Sequence, residues 1–386
     1  MTKSKLIRIT TVSTSLKILL KGQLAFVSDH YDVIGVSSGD QNLEDVAKAE
    51  GVRVVPIEMT RTISPWKDLW SVWRLYQLFR NEKPLMVHTH TPKAGIVGMM
   101  AARFAGVSIR LHTVAGLPLM EAKGLKRRIL NSVEKMTYKF ATRVYPNSQG
   151  LYNFIVEQRF CKTEKLKVIA NGSSNGIDVF YFNPNIVSEH EKQNLKRRLK
   201  IGVQDFVFIF VGRLVGDKGL NELIAAFKTI STNREDLKLL LVGGAENALD
   251  PLQRETISEM KHNSQIMSVG FQNDVRPYFA ISDALVFPTY REGFPNVVMQ
   301  AGAMGLPAIV TNINGCNEII IEGKNGTIIP AKSTQALLAA MEQFEANKEL
   351  KDKKMIYRKM IIDRYQQRII WDGLLKEYKK LEESVS

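Results

Sequence analysis

Short apolar runs separated by amphipathic stretches recur along the whole chain. In the first half the runs are 5–12 (KLIRITTV), 32–37 (DVIGVS), 52–56 (VRVVP), 85–88 (LMVH), 109–113 (IRLHT) and 142–145 (TRVY). Their length and their Val and Ile content predict β-strands. Between them, 15–28, 42–50, 66–82, 94–105 and 123–139 carry apolar residues at helical spacing. Strands and helices that alternate in this way form βαβ units around a parallel sheet. The second half repeats the logic with FVFIFVG (206–212), KLLLVGG (238–244), IMSVG (266–270), ALVFP (284–288) and AIVT (308–311). Such near-continuous apolar runs suit strands buried on both faces.

Two doubly wound α/β domains in tandem account for this pattern better than one large domain. The stretch 178–204 is polar and interrupted by Pro184, which marks a joint. The expected division is residues 1–182 and 183–365, with a helix over 366–386 packing back on the first domain. Open parallel sheets bind ligands outside the carboxyl ends of their strands. Two facing domains would place those ends around one shared cleft.

Composition agrees with a globular enzyme. Of 386 residues, 45% are hydrophobic and 24% charged, which excludes a disordered chain. No apolar run approaches the roughly 18 residues of a membrane span. The N-terminal stretch is basic and partly apolar, but Thr, Ser and Lys interrupt it, so it reads as a strand and helix and not as a leader. Cys161 and Cys316 stand far apart and suggest neither a disulfide framework nor a zinc site, which makes a reducing cytoplasm the default. The net charge of +14 is uneven: residues 1–185 hold 26 Lys and Arg against 14 Asp and Glu, and the remainder is nearly balanced. The first half therefore faces something anionic: nucleic acid, a membrane surface or a phosphorylated substrate. The aromatics fall mostly at helical spacing and no nucleic-acid motif is present, which argues against the first of these.

Two segments carry candidate chemistry. In GRLVGDKGLNEL (212–223) a buried strand runs into Gly212, and Gly219 opens a helix. Helix amides, Arg213 and Lys218 would together hold a diphosphate; a solvated strand–helix turn is the alternative. In PTYREGFPNVVMQAGAMGLPAIVT (288–311) a strand ends at Pro288 and a helix begins near Asn296. Glu292 lies just ahead of that helix, either as a cap favoured by the helix dipole or as a carboxylate aimed at a ligand.

Together these segments resemble the family 4 retaining glycosyltransferases of the GT-B fold, a resemblance that covers nearly the whole chain. It implies a metal-independent enzyme with two Rossmann-like domains and a nucleotide-sugar donor, of which a UDP-sugar is the first expectation. It implies that Arg213 and Lys218 hold the donor diphosphate beside Gly212. Glu292 would meet the donor sugar, and the backbone of Gly293, Phe294, Pro295, Asn296 and Val297 would reach sugar and phosphate. The family's second Glu, seven residues after the first, falls here on Gln300, which can still hydrogen-bond ribose but not transfer a proton. The loop 11–23 lacks the paired glycines of many relatives. In LHTVAGLP (111–118), His112 resembles the family's histidine near the donor sugar, whose side chain or backbone carbonyl contacts the sugar; a satisfied strand-end histidine is the bland alternative. YPNS (Asn147, Ser148) and NGID (Asn175, Gly176, Ile177, Asp178) also match family positions.

HTHTPKAG, HTVAGLP and KGLKRR resemble bacterial enzymes that extend polyprenyl-diphosphate-linked sugars in surface polysaccharide assembly. His90 and Lys93, with Lys123, Lys126, Arg127 and Arg128, are then expected on the acceptor or membrane side. His88 and His90 could share a strand face, but no further Asp, Glu or Cys completes a metal shell. Trp66, Trp70 and Trp73 recur at i, i+4, i+7 and share one helical face, which packs into a core or dips into an anionic interface. The expected enzyme is cytoplasmic and peripheral to the inner face of the cell membrane. A sugar-nucleotide epimerase of the same architecture and a basic nucleic-acid binder are the rival classes.

Overall fold

The computed structural model describes residues 3–60, 64–120, 122–246 and 250–385. The chain divides into two units, Met1–Gly176 with Gln367–Ser386, and Ile177–Gln366. The first is built on a sheet of β1 (Lys5–Ile9), β2 (Asp32–Ser37), β3 (Arg53–Pro56), β4 (Met86–His90), β5 (Ile109–Val114) and β6 (Arg143–Pro146). The second is built on β7 (Phe206–Val211), β8 (Leu237–Val242), β9 (Ile266–Ser268), β10 (Ala284–Phe287), β11 (Ala308–Thr311) and β12 (Gly326–Ile329). All the paired strands are parallel.

The sheet orders are β3-β2-β1-β4-β5-β6 and β12-β11-β10-β7-β8-β9. They are the same topology, since both run outward in opposite directions from a central pair, β1/β4 and β7/β10. Where the order reverses, adjacent connections leave to opposite faces and open a crevice at the strands' carboxyl ends.

Side-chain alternation assigns each strand residue to a face. On β1, Ile7 and Ile9 join the cluster of Val87, Val97, Leu75 and Phe79, whereas Leu6 joins Met86, Leu111, Leu374 and Tyr378. The second face is therefore closed by the terminal helix Gln367–Glu383. In the second unit one apolar cluster includes β7, β8 and β10 and the helix Leu220–Ile230.

Residues 177–182 go with the second unit, unlike the expected boundary at 182. Ile177, Val179 and Phe182 pack in its core. The buried Arg358 donates to the carbonyls of Val179 (2.8 Å) and Phe182 (2.6 Å). The strand Gly326–Ile329 was not anticipated: GTII is short and its neighbours Lys324 and Asn325 are polar.

Candidate active site

The loop after β7 carries the first set of site residues. FVFIFV is buried over its middle and ends at Val211. Gly216–Lys218 forms one tight turn, and Gly219 precedes the helix Leu220–Ile230. That helix buries Leu220, Leu223, Ile224 and Phe227 at amphipathic spacing. Packed antiparallel to the strand it follows, it brings its N-terminus to the switch-point end of the sheet, where unpaired amides and the dipole favour an anion. Gly219 has φ +71°, and a Cβ there would lie 2.2 Å from the carbonyl oxygen of Pro288. Only glycine lets the loop after β7 touch the backbone that follows β10.

Charged pairs tie these two loops together. Lys218 Nζ donates to Glu292 Oε1, and both side chains are mostly buried. One residue earlier in each loop, Arg291 Nη2 donates to Asp217 Oδ2 at 2.7 Å and its Nε to the same oxygen at 3.1 Å. The Tyr290 amide donates to the Asp217 carbonyl (2.9 Å), and the Tyr290 hydroxyl to Glu222 (2.7 Å). Arg213 is half-exposed and donates to Glu246 Oε2 at 2.7 Å, which raises its pKa further. Glu246 follows Gly243, where a Cβ would lie 1.8 Å from the Gly212 carbonyl oxygen. The loop after β8 is thus pressed onto the loop after β7.

Glu292 makes no side-chain cap to the helix Asn296–Ala303, whose N-cap is Pro295. Its carboxylate is committed to Lys218. Asn314 Nδ2 donates to the carbonyls of Glu292 (3.2 Å) and Gly293 (2.5 Å) and so fixes the turn. Phe294 is buried against Tyr365 with ring centroids 5.5 Å apart, and Asn296 is exposed. Gln300 is half-buried one turn into the helix. Asp217, Glu246 and Arg291 were not singled out by sequence reasoning. The adjacent opposite charges of Asp217-Lys218 and Arg291-Glu292 were the signal, but nothing local shows that the two dipeptides meet.

The corresponding place in the first unit is different. Arg8 is fully buried and donates to His90 Nε2 (2.9 Å from Nη2) and to Gln23 Oε1 (2.5 Å). Because arginine only donates, His90 Nε2 is the acceptor and the ring proton sits on Nδ1. His88 bonds to Tyr378 (2.5 Å) and Thr113 (2.8 Å). Burial, with help from neighbouring cations, holds both imidazoles well below their usual pKa and therefore neutral. Each ring has structural partners and one faces a cation, which does not suit a metal pair. Among the described residues no three His, Cys, Asp or Glu side chains gather as a metal shell.

Three expected site residues of this unit have their side chains turned inward or paired. His112 is 2% exposed, its Nδ1 lies 2.8 Å from Thr89 Oγ1, and burial lowers its pKa to about 3. Alternation turns it under the helix Pro92–Phe104, where a Cβ on Gly95 would lie 2.5 Å from its ring, so the imidazole is enclosed in this unit and only its backbone remains for a ligand. His90 is likewise buried, and Lys93 is paired with Asp68 at 2.5 Å. Neither is displayed to an acceptor. Asn175 receives the Trp371 indole N–H at 2.7 Å, and Ser148 caps the helix Gln149–Glu157. Both have structural work to do.

The tryptophan face is exposed. The helix Pro65–Glu82 buries Ser71, Leu75 and Phe79. Trp66, Leu69, Trp70 and Trp73 lie on its other side, with Trp66 85% exposed and Trp70 stacked on Trp73 at 4.7 Å. The helix Gly124–Phe140 exposes Leu125 (73%) and Ile129, beside exposed Lys123, Lys126 and Arg128. Arg127 is held inward by the Leu119 carbonyl and Asn131. Both helices pack on Pro92–Phe104, so these surfaces belong to one side of the sheet. Among the described residues, no helix is long and apolar enough to cross a membrane.

Residues 191–360 match the model for glycosyl transferases group 1, and residues 24–172 match that for a glycosyl transferase 4-like domain. The chain is 33% identical over 382 residues to the capsular polysaccharide biosynthesis glycosyltransferase CapM of Staphylococcus aureus, covering 98% of this chain and 97% of that one. It is 31% identical over 300 residues to the UDP-Gal:alpha-D-GlcNAc-diphosphoundecaprenol alpha-1,3-galactosyltransferase of Escherichia coli, covering 76% of this chain and 74% of that one. Among solved structures, Anabaena HepE in complex with UDP and glucose superimposes with a TM-score of 0.81 at 17% identity, covering 98% of this chain and 100% of that one. This last likeness concerns the fold.

Proposed function

This chain belongs to the glycosyl transferases of group 1, and from that premise we propose that it is a retaining enzyme that moves a hexosyl or N-acetylhexosaminyl group from a UDP-sugar to a sugar carried on a polyprenyl diphosphate, in surface polysaccharide assembly. The observation that carries the reading is the convergence of Arg213, Lys218, Glu292 and the start of the helix Leu220–Ile230 at the switch point of the second sheet. UDP is favoured because the Escherichia coli relative is named for UDP-Gal and the Anabaena protein was solved with UDP. The acceptor is inferred from that relative's diphosphoundecaprenol substrate.

In this mechanism the anomeric carbon–oxygen bond to the diphosphate breaks while the acceptor oxygen bonds to the same face. The acceptor's hydroxyl proton passes to the departing diphosphate oxygen. No carboxylate nucleophile is required. Arg213, Lys218 and the helix amides stabilise charge on the leaving diphosphate, in place of a metal. Glu292 orients the sugar hydroxyls once Lys218 turns to the diphosphate, and Gln300 bonds the ribose.

We assign the acceptor side to the first unit, where the helix Pro65–Glu82 exposes Trp66, Leu69, Trp70 and Trp73 and the helix Gly124–Phe140 exposes Leu125 and Ile129 close in sequence to Lys123, Lys126 and Arg128. Rings and aliphatic chains beside cations suit an anionic bilayer face. That would hold the enzyme at the membrane where the lipid-linked acceptor lies.

The test is a panel of radiolabelled UDP-sugars with undecaprenyl-diphosphate-linked sugars, in EDTA, the product's anomeric configuration being read by NMR. One α-linked lipid product is expected from an α-linked donor. A β-linked product, no transfer from any UDP-sugar, or activity only after Mn²⁺ or Mg²⁺ is added would overturn the corresponding part of the reading. Anionic liposomes should sediment the chain at low salt, and Trp66→Ser with Trp70→Ser and Trp73→Ser should abolish this.

A further inference from the structure

Two consecutive residues of the loop after β7 meet two consecutive residues of the loop after β10, with charges in alternating sense. Asp217 pairs with Arg291, and Lys218 with Glu292. The two bridges are unlike. Lys218 and Glu292 are the groups that donor binding would separate, because a diphosphate competes for the ammonium. Asp217 and Arg291 belong to a wider lattice. The Asp217 amide donates to Asp250 Oδ2 (2.5 Å), its carbonyl accepts from the Tyr290 amide (2.9 Å) and the Thr289 hydroxyl (3.3 Å), and its carboxylate takes two N–H groups of Arg291.

We propose that Asp217 and Arg291 are positioning residues for the transfer reaction: their ion pair keeps the two loops in register when the donor diphosphate takes Lys218 away from Glu292. This rests on the assignment of Lys218 to the diphosphate and Glu292 to the donor sugar. Without the donor, two successive ion pairs hold the loops together beside the bonds of Thr289 and Tyr290 to the Asp217 carbonyl. With it, the Lys218–Glu292 contact is exchanged for contacts to substrate, and Asp217–Arg291 is the ion pair of the two that remains. Neither residue touches the reacting atoms. They act because each is covalently adjacent to one that does. Small displacements of such groups have large kinetic cost.

The experiment compares Arg291→Lys, Arg291→Gln, Asp217→Asn and the double variant Asp217→Asn with Arg291→Gln, measuring kcat and KM for donor and for acceptor, with thermal melting of each protein. Arg291→Gln and Asp217→Asn should each raise the donor KM about tenfold and lower kcat, with the acceptor KM unchanged. Arg291→Lys keeps the charge and should recover most of the loss. The double variant should be no worse than the poorer single variant, because each acts through the other. A fall in kcat at constant donor KM, tracking a lower melting temperature, would overturn the proposal and mark the pair as a stabilising contact. Losses that multiply in the double variant would overturn it as well. If a single variant fails to fold, the Arg291→Lys comparison decides: an unchanged donor KM there, with Arg291→Gln no worse than Arg291→Lys, overturns the proposal. Lys218→Ala is assayed beside them. Full turnover in that variant would sink the underlying site assignment, whereas a dead Lys218→Ala with normal Arg291→Gln would sink the positioning role alone.

Discussion

At the switch point of the first sheet, Arg8 is fully buried and donates to His90 and Gln23, both neutral. At that of the second sheet, Arg213, Lys218 and Arg291 each meet a carboxylate, and Arg213 and Arg291 are half-exposed. The strand order is the same in both sheets. The terminal helix makes much of the difference. It closes the first sheet's face with Leu374, Tyr378 and Leu381, so that a cation there is sealed into the interior. The corresponding loops of the second sheet remain within reach of solvent. A switch point is thus an opportunity that the surrounding chain either fills or leaves available.

On the proposed function the first cation is structural and the second set functional, and the largest expected effect tests the latter. Arg213→Ala and Lys218→Ala should each reduce transfer by about 10²–10³-fold, with thermal melting close to wild type. Normal turnover in both would remove the distinction. The converse holds for Arg8→Ala. It leaves Gln23 and His90 without their buried donor, so unfolding should become easier by about 2 kcal/mol, the scale of a lost hydrogen bond to a charged group. Donor KM, measured on the folded fraction, should not change. A donor-binding defect without loss of stability would place Arg8 in the active machinery.

Acidity sharpens the same contrast. His88, His90 and His112 have folded pKa values depressed by burial. Below the unfolded value, about 6.5, the unfolded chain takes up protons that the folded one refuses, so stability falls as pH falls. Glu134, raised by burial to about 7, acts in the opposite sense, because the folded state holds its proton. With three rings acting in one sense and one carboxyl in the other, stability is expected to fall between pH 6 and pH 5. Denaturant titrations at the two pH values measure it. Unchanged stability would mean that these rings are not sealed from protons. The smallest effect belongs to Gln300. Gln300→Glu should remain active, and Gln300→Leu should raise the donor KM roughly fivefold, the scale of one lost hydrogen bond to a neutral group. A fully active Leu variant would leave Gln300 as part of the helix and nothing more.

Much of this was legible along the chain. The apolar runs of β7, β8 and β10 read as strands because they are buried on both faces. Gly219 marked the helix start because only glycine suits that backbone. The strand Gly326–Ile329 escaped notice because so short an edge segment has little apolar length to display. His112 shows another limit. Its place at a strand's carboxyl end suggested a ligand, whereas alternation across the pleat turned it under a helix. The tryptophan spacing identified a common face but could not say which way it looks. That was set by Ser71, Leu75 and Phe79, which took the inward side.

The sequence by itself determined two doubly wound units, the strand–glycine–helix loop at 212–219, and the turn that carries Glu292, because periodicity, glycine placement and charge are local properties. Tertiary structure decided which charges meet. Lys218 and Glu292 stand 74 residues apart in the chain, and they pair because β7 and β10 lie side by side at the switch point. It also decided that Arg8 would be sealed and Trp66 displayed. Burial depends on what packs above a residue, and for Arg8 that cover includes a helix that begins more than 350 positions later in the chain.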